Sequence, residues 1–281
     1  MSFRRKSVCF AIETGRFKTF RGEGVDFMSV LRADDASASP NHEVQALYTE
    51  LALYPNRDFG WGKGKENARR LGYERRWLDR LPHPVWESAA AVGNPFGLGT
   101  IDAGETVIDL GCGAGADLCI AALVVGNEGR ALGVDITSAM VAKARQNVAL
   151  AGLGNVEVYE ADFASLPFGD ACADVVISNG SINLSSHKPC VFKEAFRILR
   201  PGGRFQFADM VQDETAEIAD GASCASWADC VAGTLEPEQY LQMLKAAGFE
   251  EAKFVSFTGY RTAATTMGAT FRACKLATRT G

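Results

Sequence analysis

Residues 107–115 read Val107-Ile108-Asp109-Leu110-Gly111-Cys112-Gly113-Ala114-Gly115, an apolar run that leads directly into three glycines. The run predicts a buried strand over 106–110, and the apolar residues that follow predict a helix over 116–125. Glycines between a strand and a helix let the backbone turn sharply and approach a ligand without an intervening side chain. The sequence therefore predicts a ligand site at the carboxyl end of this strand.

Strand-like and helix-like segments alternate after this turn. Further strands are predicted over 131–134, 156–159, 175–178 and 204–208, and helices over 138–151 and 189–199, the second closed by Arg200-Pro201-Gly202-Gly203. Strict alternation is typical of βαβ units and of a parallel sheet covered on both faces. A helix over 237–247 precedes two strands, 252–257 and 269–276, which no helix separates. This end of the chain predicts an antiparallel strand pair.

The chain before the glycine turn has a different sequence pattern. Residues 1–45 lack periodicity and contain the small polar run ADDASASPNH, so we expect an N-terminal arm, possibly flexible. Residues 46–104 are expected to form a helical cap or lid region, with helical patterns over 42–53 and 66–81. Residues 105–281 are then expected to form the domain that contains this ligand site.

Composition excludes several classes of protein. Of the 281 residues, 47% are hydrophobic and 22% are charged, with a net charge of −5. The chain is too apolar for a disordered protein, and it lacks the basic excess of a nucleic-acid binder. No apolar stretch approaches the roughly 20 residues of a membrane-spanning helix. Eight cysteines without a CxxC pair predict reduced thiols in a cytoplasmic protein without a resident metal. The sequence leaves the oligomeric state open.

Polar residues follow three further predicted strands. Asp135 ends the second strand, Asp162 and Phe163 follow the third, and Asn179 follows the fourth. Because the carboxyl ends of parallel strands meet at one edge of a sheet, we expect these side chains to border a common crevice. An acid at the end of the second strand suits the two hydroxyl groups of a ribose.

The glycine spacing separates two kinds of nucleotide ligand. A dinucleotide site usually has G-x-G-x-x-G, which seats a pyrophosphate on the N-terminus of the next helix. Here the spacing is G-x-G-x-G, and Asp117 stands in the first turn of that helix. A carboxylate there opposes a pyrophosphate but suits a ligand that carries an ammonium and a sulfonium. A nicotinamide-dependent dehydrogenase is therefore disfavoured.

The glycine turn, the late Leu199-Arg200-Pro201-Gly202-Gly203 turn and the terminal strand pair resemble the class I S-adenosylmethionine-dependent methyltransferases. The resemblance implies an α/β, Rossmann-like sheet of seven strands, mostly parallel, with S-adenosyl-L-methionine as cofactor and S-adenosyl-L-homocysteine as product. It also implies cofactor contacts from Asp109, Gly111, Cys112, Gly113 and Gly115 to the methionine part, from Asp135 to the ribose, from Ile136, Asp162 and Phe163 to the adenine, and from Asn179 to the methionine carboxylate or sulfonium.

Further segments over roughly 71–275 resemble the arsenite methyltransferases. They are Leu71-Gly72-Tyr73, Gly93-Asn94-Pro95, Val175-Val176-Ile177-Ser178-Asn179, Ile182-Asn183-Leu184, Asp229-Cys230-Val231-Ala232-Gly233-Thr234-Leu235 and Ala269-Thr270-Phe271-Arg272. That resemblance implies As(III) held by three thiolates, at the positions of Val92, Gly180 and Cys230. Only Cys230 has a thiol, and soft As(III) requires thiolate ligands.

The two substituted positions favour a different methyl acceptor. Val92 and Gly180 make the expected acceptor pocket roomier and more apolar, which suits a small organic molecule. Trp227 is a candidate to stack on a planar ring, or else a tryptophan of the core or lid. The alternatives are an arsenite or methylarsenite methyltransferase that uses Cys230 with Cys224, and a non-catalytic protein that binds S-adenosylmethionine.

Four more residues are candidates for the acceptor side. His187 lies just beyond the fourth predicted strand, either as a general base or as a surface histidine at a helix start. Asp209 ends the fifth predicted strand and is a candidate to position the acceptor. Tyr54 and Trp61 lie in the glycine- and aromatic-rich segment 54–64, which is either a hinged lid or a loop pinned by Trp61. Catalytic roles are expected for Asn179, His187 and Cys230.

Overall fold

The computed structural model describes residues 40–213 and 233–277, and these contain one seven-stranded sheet. The strands are β1 (Thr106–Leu110), β2 (Arg130–Asp135), β3 (Val156–Glu160), β4 (Ala173–Asn179), β5 (Leu199–Gln212), β6 (Glu250–Phe257) and β7 (Thr266–Cys274). Their order is β3-β2-β1-β4-β5-β7-β6. The predicted α/β methyltransferase fold is confirmed.

The directions of the strands determine where in the sheet a ligand site is expected. Strands β1 to β5 pair in parallel, whereas β7 runs antiparallel to both β5 and β6. From β1 the chain moves outward to β2 and β3, and it then returns to the other side of β1 as β4. The carboxyl ends of β1 and β4 therefore meet at the switch point of the sheet, where ligands bind in folds of this kind.

The described residues also contain eight α-helices, which pack around the sheet. They are α1 (Pro40–Leu53), α2 (Gly64–Arg70), α3 (Arg75–Arg80), α4 (His83–Glu87), α5 (Ala116–Val125), α6 (Ser138–Ala151), α7 (Lys188–Ile198) and α8 (Pro237–Ala246). Glycine fixes the end of α6, since Gly152 adopts the left-handed conformation with φ of +69°. A capping box of Glu236 and Gln239 begins α8. None of these helices is long and apolar enough to cross a bilayer.

The sequence-based boundaries need three corrections. The helix predicted over 66–81 is two helices, α2 and α3, because Gly72 has φ of +82°, which a continuous helix excludes. Strict alternation is wrong between β3 and β4, since residues 161–172 contain no helix. The Arg200–Gly203 turn belongs to β5, where Gly202 N donates to Lys275 O (2.7 Å) and so extends the pairing towards β7.

The N-terminal boundary is described only in part. Residue 45, the predicted end of the arm, lies inside α1. Residues 1–39 lie outside the described part of the chain.

The core lies on both faces of the sheet. On one face the rings of Phe207, Tyr240 and Phe271 stack at centroid distances of 5.0–6.2 Å. On the other face Val107 and Val175 pack with helices α5 and α6. Burial on both faces explains why the parallel strands are almost wholly apolar, so that the polar residues at their carboxyl ends stand out.

Candidate functional site

A cavity with about 1080 Å³ of empty space, part of it open to solvent, lies at the carboxyl ends of β1, β2 and β4. Its walls include nine of the ten residues predicted to contact the cofactor: Asp109, Gly111, Cys112, Gly113, Asp135, Ile136, Asp162, Phe163 and Asn179. The structure thus brings the predicted cofactor residues to one place.

The glycine turn forms the floor of this cavity. The backbone N–H groups of Gly111 and Cys112 donate to Val134 O (2.8 and 2.9 Å), which ties the turn to β2. Gly111 has φ of +72°, and a Cβ there would lie 2.4 Å from the Ser181 side chain. At Gly113 a Cβ would meet no atom within 4 Å. Gly111 is therefore needed for packing, whereas Gly113 leaves a bare backbone beside open space, which fits a ligand cradle.

Gly115 is the tenth predicted residue, and it does not line the cavity. It precedes α5 with φ of +87°, and a Cβ there would lie 3.3 Å from Ala144 Cβ in α6. Its role is to let α5 and α6 approach closely.

Asp135 and Asp162 border the cavity at the ends of neighbouring strands. Asp135 accepts hydrogen bonds from Gly113 N (2.9 Å) and Thr137 N (2.8 Å), so its carboxylate is held beside the glycine turn. Burial raises the pKa of Asp135, and these bonds oppose the rise. Asp162 accepts from Ala164 N at 2.8 Å. Backbone N–H groups thus hold both carboxylates at the cavity wall, next to Ile136 and Phe163.

Asn179 connects several elements through its amide. Its Oδ1 accepts from Val92 N (3.0 Å) and Gly93 N (3.3 Å). Its Nδ2 lies 2.9 Å from Gly93 O, Asp117 Oδ2 and Tyr73 Oη. The amide is thus fully engaged within the protein, and Asn179 aligns the cavity wall.

Two acids, Asp109 and Asp117, lie at the end of the cavity near Asn179. Asp117 accepts from the Tyr73 hydroxyl (2.8 Å), and burial raises its pKa to about 6. Asp109 is 2% exposed, and its Oδ2 has no hydrogen-bond partner. Burial, and then the charges of Asp117 and Asp135, raise the pKa of Asp109. No lysine, arginine or histidine stands among the described residues that line the cavity. This end therefore fits a cationic ligand group such as an ammonium or sulfonium.

Helix α1, predicted as a helix over 42–53, forms a cavity wall to which the sequence analysis assigned no residue. Asn41, Val44 and Tyr48 line the cavity, and Gln45 Nε2 donates to Ile136 O at 3.0 Å. Apolar residues at 44, 48 and 51 have the spacing of one helical face, a signal by which this wall is recognisable. Tyr73, Trp86 and Ser181 are further lining residues that were not assigned to the site, and Asp117, which the sequence analysis related to a cationic ligand, also lines it.

Five candidates for the acceptor side do not line the cavity: Tyr54, Trp61, Val92, His187 and Asp209. Tyr54 is 63% exposed beyond the end of α1, and the Trp61 ring packs against Phe59 at 5.4 Å. His187 is exposed before α7, because the turn directs the neighbouring Ser185 and Lys188 inward. Asp209 is fully buried and accepts from Asn183 N and Met210 N, both at 2.8 Å. In the structure these residues lie at the surface or in the core and not at the cavity.

Val92 lies beside Gly180. Gly180 lines the cavity with φ of +70°, and a Cβ there would lie 3.1 Å from Val92 Cγ1. Val92 is 3% exposed and packs in an apolar cluster with Val44, Leu184 and Met210. The remaining candidates, Cys224, Trp227 and Cys230, lie outside the described residues.

Comparison with known families agrees with this geometry. Residues 101–248, more than half of the chain, match the family model described as a methyltransferase domain. The chain belongs to the S-adenosylmethionine-dependent methyltransferase family. The cofactor of this methyltransferase family is S-adenosylmethionine, and the acidic cavity with its bare glycine cradle fits that molecule.

The chain is also similar to three individual proteins. It is 44% identical over 185 residues to an arsenite methyltransferase of Halobacterium salinarum, a match over 65% of this chain and 46% of that protein. The chain thus spans about half the length of that relative. It is 27% identical over 201 residues to the 27-O-demethylrifamycin SV methyltransferase of Amycolatopsis mediterranei, over 67% and 73% of the two chains.

The third is a solved structure. An arsenic(III) S-adenosylmethionine methyltransferase of Chlamydomonas reinhardtii superimposes with a TM-score of 0.53 at 24% identity, over 78% of this chain and 75% of that one. At this identity the likeness supports the shared fold.

Proposed function

We propose that this protein transfers a methyl group from S-adenosylmethionine to a small organic acceptor. The observation that carries the proposal is that Val92 lies beside Gly180, since a Cβ at 180 would lie 3.1 Å from Val92 Cγ1. These are the two positions at which the resemblance to arsenite methyltransferases implies thiolates. Neither residue offers a ligand for soft As(III).

The apolar surroundings of these positions support the same acceptor class. Val92 packs with Val44, Leu184, Ala208 and Met210, and Val44 and Leu184 also line the cavity. Ligand sites that are mostly apolar with a few polar groups are typical of small organic molecules. One relative is named for an organic acceptor, 27-O-demethylrifamycin SV.

The residues of the chain contribute chiefly by binding and orientation. When bound, S-adenosylmethionine supplies an electrophilic methyl group on its sulfonium. The glycine turn and the strand-end acids hold the cofactor, Asn179 aligns the wall beside it, and α1 covers the cavity. Holding the reactants close together and excluding water are the effects on which such a transfer depends most.

There are two alternative functions. The 44% identity to a protein named arsenite methyltransferase favours arsenite or methylarsenite methylation through Cys230 and Cys224. The alternative of a non-catalytic protein requires an intact cofactor site without an acceptor, and the acceptor assay described next distinguishes it.

The test measures S-adenosylhomocysteine by mass spectrometry. The first assay offers arsenite and excess glutathione as the only acceptors to the natural protein and to Cys230→Ser. The second offers a panel of planar phenols, thiols and amines without arsenite. Calorimetry with S-adenosylhomocysteine confirms the cofactor site in both proteins.

We expect turnover above the acceptor-free background in the second assay and none that depends on arsenite in the first. Arsenite-dependent product that disappears in Cys230→Ser would mean that the protein is an arsenite methyltransferase. Cofactor binding without turnover in either assay would favour the non-catalytic alternative.

A further inference from the structure

One of the three serine hydroxyl groups at the cavity wall is able to donate a hydrogen bond to a ligand. Ser88, Ser181 and Ser185 line the cavity. Ser88 Oγ donates to Leu51 O (3.0 Å) and Ser181 Oγ to Leu110 O (2.9 Å). Ser185 Oγ accepts from His187 N (3.1 Å), and within the described residues no hydrogen bond has Ser185 Oγ as its donor. A serine hydroxyl donates one hydrogen bond and accepts two, so the proton of Ser185 is available to a ligand in the cavity.

Ser185 belongs to the apolar side of the cavity. It follows Leu184, which lines the cavity and packs in one apolar cluster with Val44. The acids assigned to the ribose and the adenine, Asp135 and Asp162, follow β2 and β3 instead. Ser185 is 8% exposed, and a buried hydroxyl that donates to nothing is costly. In ligand sites that are mostly apolar, a few polar groups of this kind set the orientation of the ligand.

A buried lysine and a buried aspartate hold the turn that carries Ser185. Lys188 Nζ donates to Asn183 O (2.8 Å) and to Ser185 O (2.9 Å). Asp209 accepts from Asn183 N at 2.8 Å, so both backbone polar groups of Asn183 are bonded to charged side chains. Lys188 and Asp209 are 6% and 0% exposed. A hydroxyl on a turn fixed in this way loses little conformational freedom when it binds a ligand, and Lys188 and Asp209 are therefore positioning residues for Ser185.

We propose that Ser185 Oγ donates a hydrogen bond to an oxygen atom of the methyl acceptor, and that it thereby favours organic molecules that carry a hydroxyl or carbonyl oxygen. The inference rests on the proposed function and deepens it by naming the acceptor class. Such an oxygen accepts a hydrogen bond, whereas a methyl group of the same size accepts none. Ser185 is thus a specificity-determining residue on the acceptor side of the cavity.

The experiment compares two probes that differ only in the group that meets Ser185. They are 2-naphthol and 2-methylnaphthalene, in which a hydroxyl and a methyl group of similar size occupy the same ring position. Equilibrium dialysis measures the affinity of each probe for the full chain saturated with S-adenosylhomocysteine. The proteins are the natural protein, Ser185→Ala, Ser185→Thr, which keeps a hydroxyl, and Ser186→Ala, a matched change at the exposed neighbour.

The quantity that tests the proposal is the ratio of the two affinities. In Ser185→Ala we expect the ratio of 2-naphthol to 2-methylnaphthalene affinity to fall roughly three- to tenfold, the usual effect of one lost hydrogen bond. Ser185→Thr and Ser186→Ala are expected to keep the ratio of the natural protein. A change in the shape of the turn alone would weaken both probes together and leave the ratio unaltered. The affinity for S-adenosylhomocysteine, measured by calorimetry, is expected to be the same in all four proteins.

An unchanged ratio in Ser185→Ala would overturn the role of Ser185 while leaving the proposed methyl transfer intact. Weaker binding of S-adenosylhomocysteine in Ser185→Ala, with the probe ratio unchanged, would overturn it too, because the hydroxyl would then bind the cofactor. Failure of both probes to bind the natural protein would instead contradict the organic acceptor, and with it the proposed function.

Discussion

Within the turn over 110–115, Gly111 and Gly113 have different functions although both have positive φ. Gly111 lies beneath Ser181, whereas Gly113 faces open space in the cavity. The backbone conformation alone makes a side chain costly at either position, by about 1–2 kcal/mol. Their surroundings separate the two glycines further.

Alanine at these two positions gives the first prediction. Gly111→Ala places a Cβ 2.4 Å from Ser181 and is expected to destabilise the fold by roughly 2–4 kcal/mol, because overpacking adds to backbone strain. Gly113→Ala is expected to lower the free energy of unfolding by only about 1–2 kcal/mol. Relative to that loss of stability, it is expected to weaken S-adenosylhomocysteine binding more than Gly111→Ala does. Urea denaturation and calorimetry measure both quantities. A larger stability loss at Gly113 would contradict the assignment.

The Asn179 amide gives the second prediction. Asn179→Leu leaves Asp117 Oδ2 and the N–H and C=O of Gly93 without this partner, and we expect a cost of about 3 kcal/mol in the free energy of unfolding. Asn94→Ala, which removes bonds to Gly72 O and Phe96 N at a more exposed place, should cost about 1 kcal/mol. Equal losses in urea denaturation would show that Asn179 does not hold the wall together.

At the scale of elements, α1 joins the cavity wall to the sheet. Leu51 is fully buried and packs with Ala114 and Met140, which line the cavity. Ser88 Oγ and Lys143 Nζ donate to the carbonyl groups at the end of α1 (3.0 and 3.1 Å). Docking of α1 and shaping of the cavity thus depend on the same contacts.

Two leucines of α1 give a matched test. Leu51→Ala is expected to cost about 2–4 kcal/mol and to weaken S-adenosylhomocysteine binding, because α1 loses its anchor. Leu53→Ala, at a position that is 61% exposed, should change stability by less than about 0.5 kcal/mol and leave the affinity unchanged. Denaturation and calorimetry on both variants check this. Unaltered binding in Leu51→Ala would mean that α1 does not shape the site.

At the scale of the whole molecule, buried acids set the pH dependence of stability. Burial raises the pKa of Asp117 to about 6 and that of Asp209 to about 7. A carboxyl group whose pKa is higher in the folded state binds more protons there than in the unfolded chain. Folding stability therefore falls as the pH rises from the unfolded value, about 4, to the folded value, and is constant above it.

We expect the ligand-free protein to lose on the order of 4 kcal/mol of unfolding free energy between pH 5 and 7.5. Asp209→Asn should flatten this dependence, since it removes one of the raised groups. Urea denaturation at a series of pH values measures both proteins. A stability that rises over the same interval would contradict the raised pKa values.

The sequence by itself determined the strands of the sheet and the edge at which the cavity lies. Buried parallel strands are nearly all apolar, so their order along the chain can be predicted, and the polar residues after them mark the common edge. Asp135, Asp162 and Asn179 were placed in this way and Asp109 through the family resemblance, and all four line the cavity. Such residues are predictable because strand and turn geometry are local.

Only the tertiary structure decided what closes the cavity. The wall from α1 depends on packing between residues about 90 positions apart, such as Gln45 and Ile136, and no local pattern encodes that pairing. The same holds for Asp209 and His187, whose positions after strands suggested the site. The turn before α7 directs Lys188 inward and leaves His187 exposed, while Asn183 N occupies the Asp209 carboxylate. Side-chain direction within a turn depends on the partners that each side chain meets, which for Lys188 are the nearby carbonyl groups of Asn183 and Ser185 and for Asp209 is an N–H group 26 residues away.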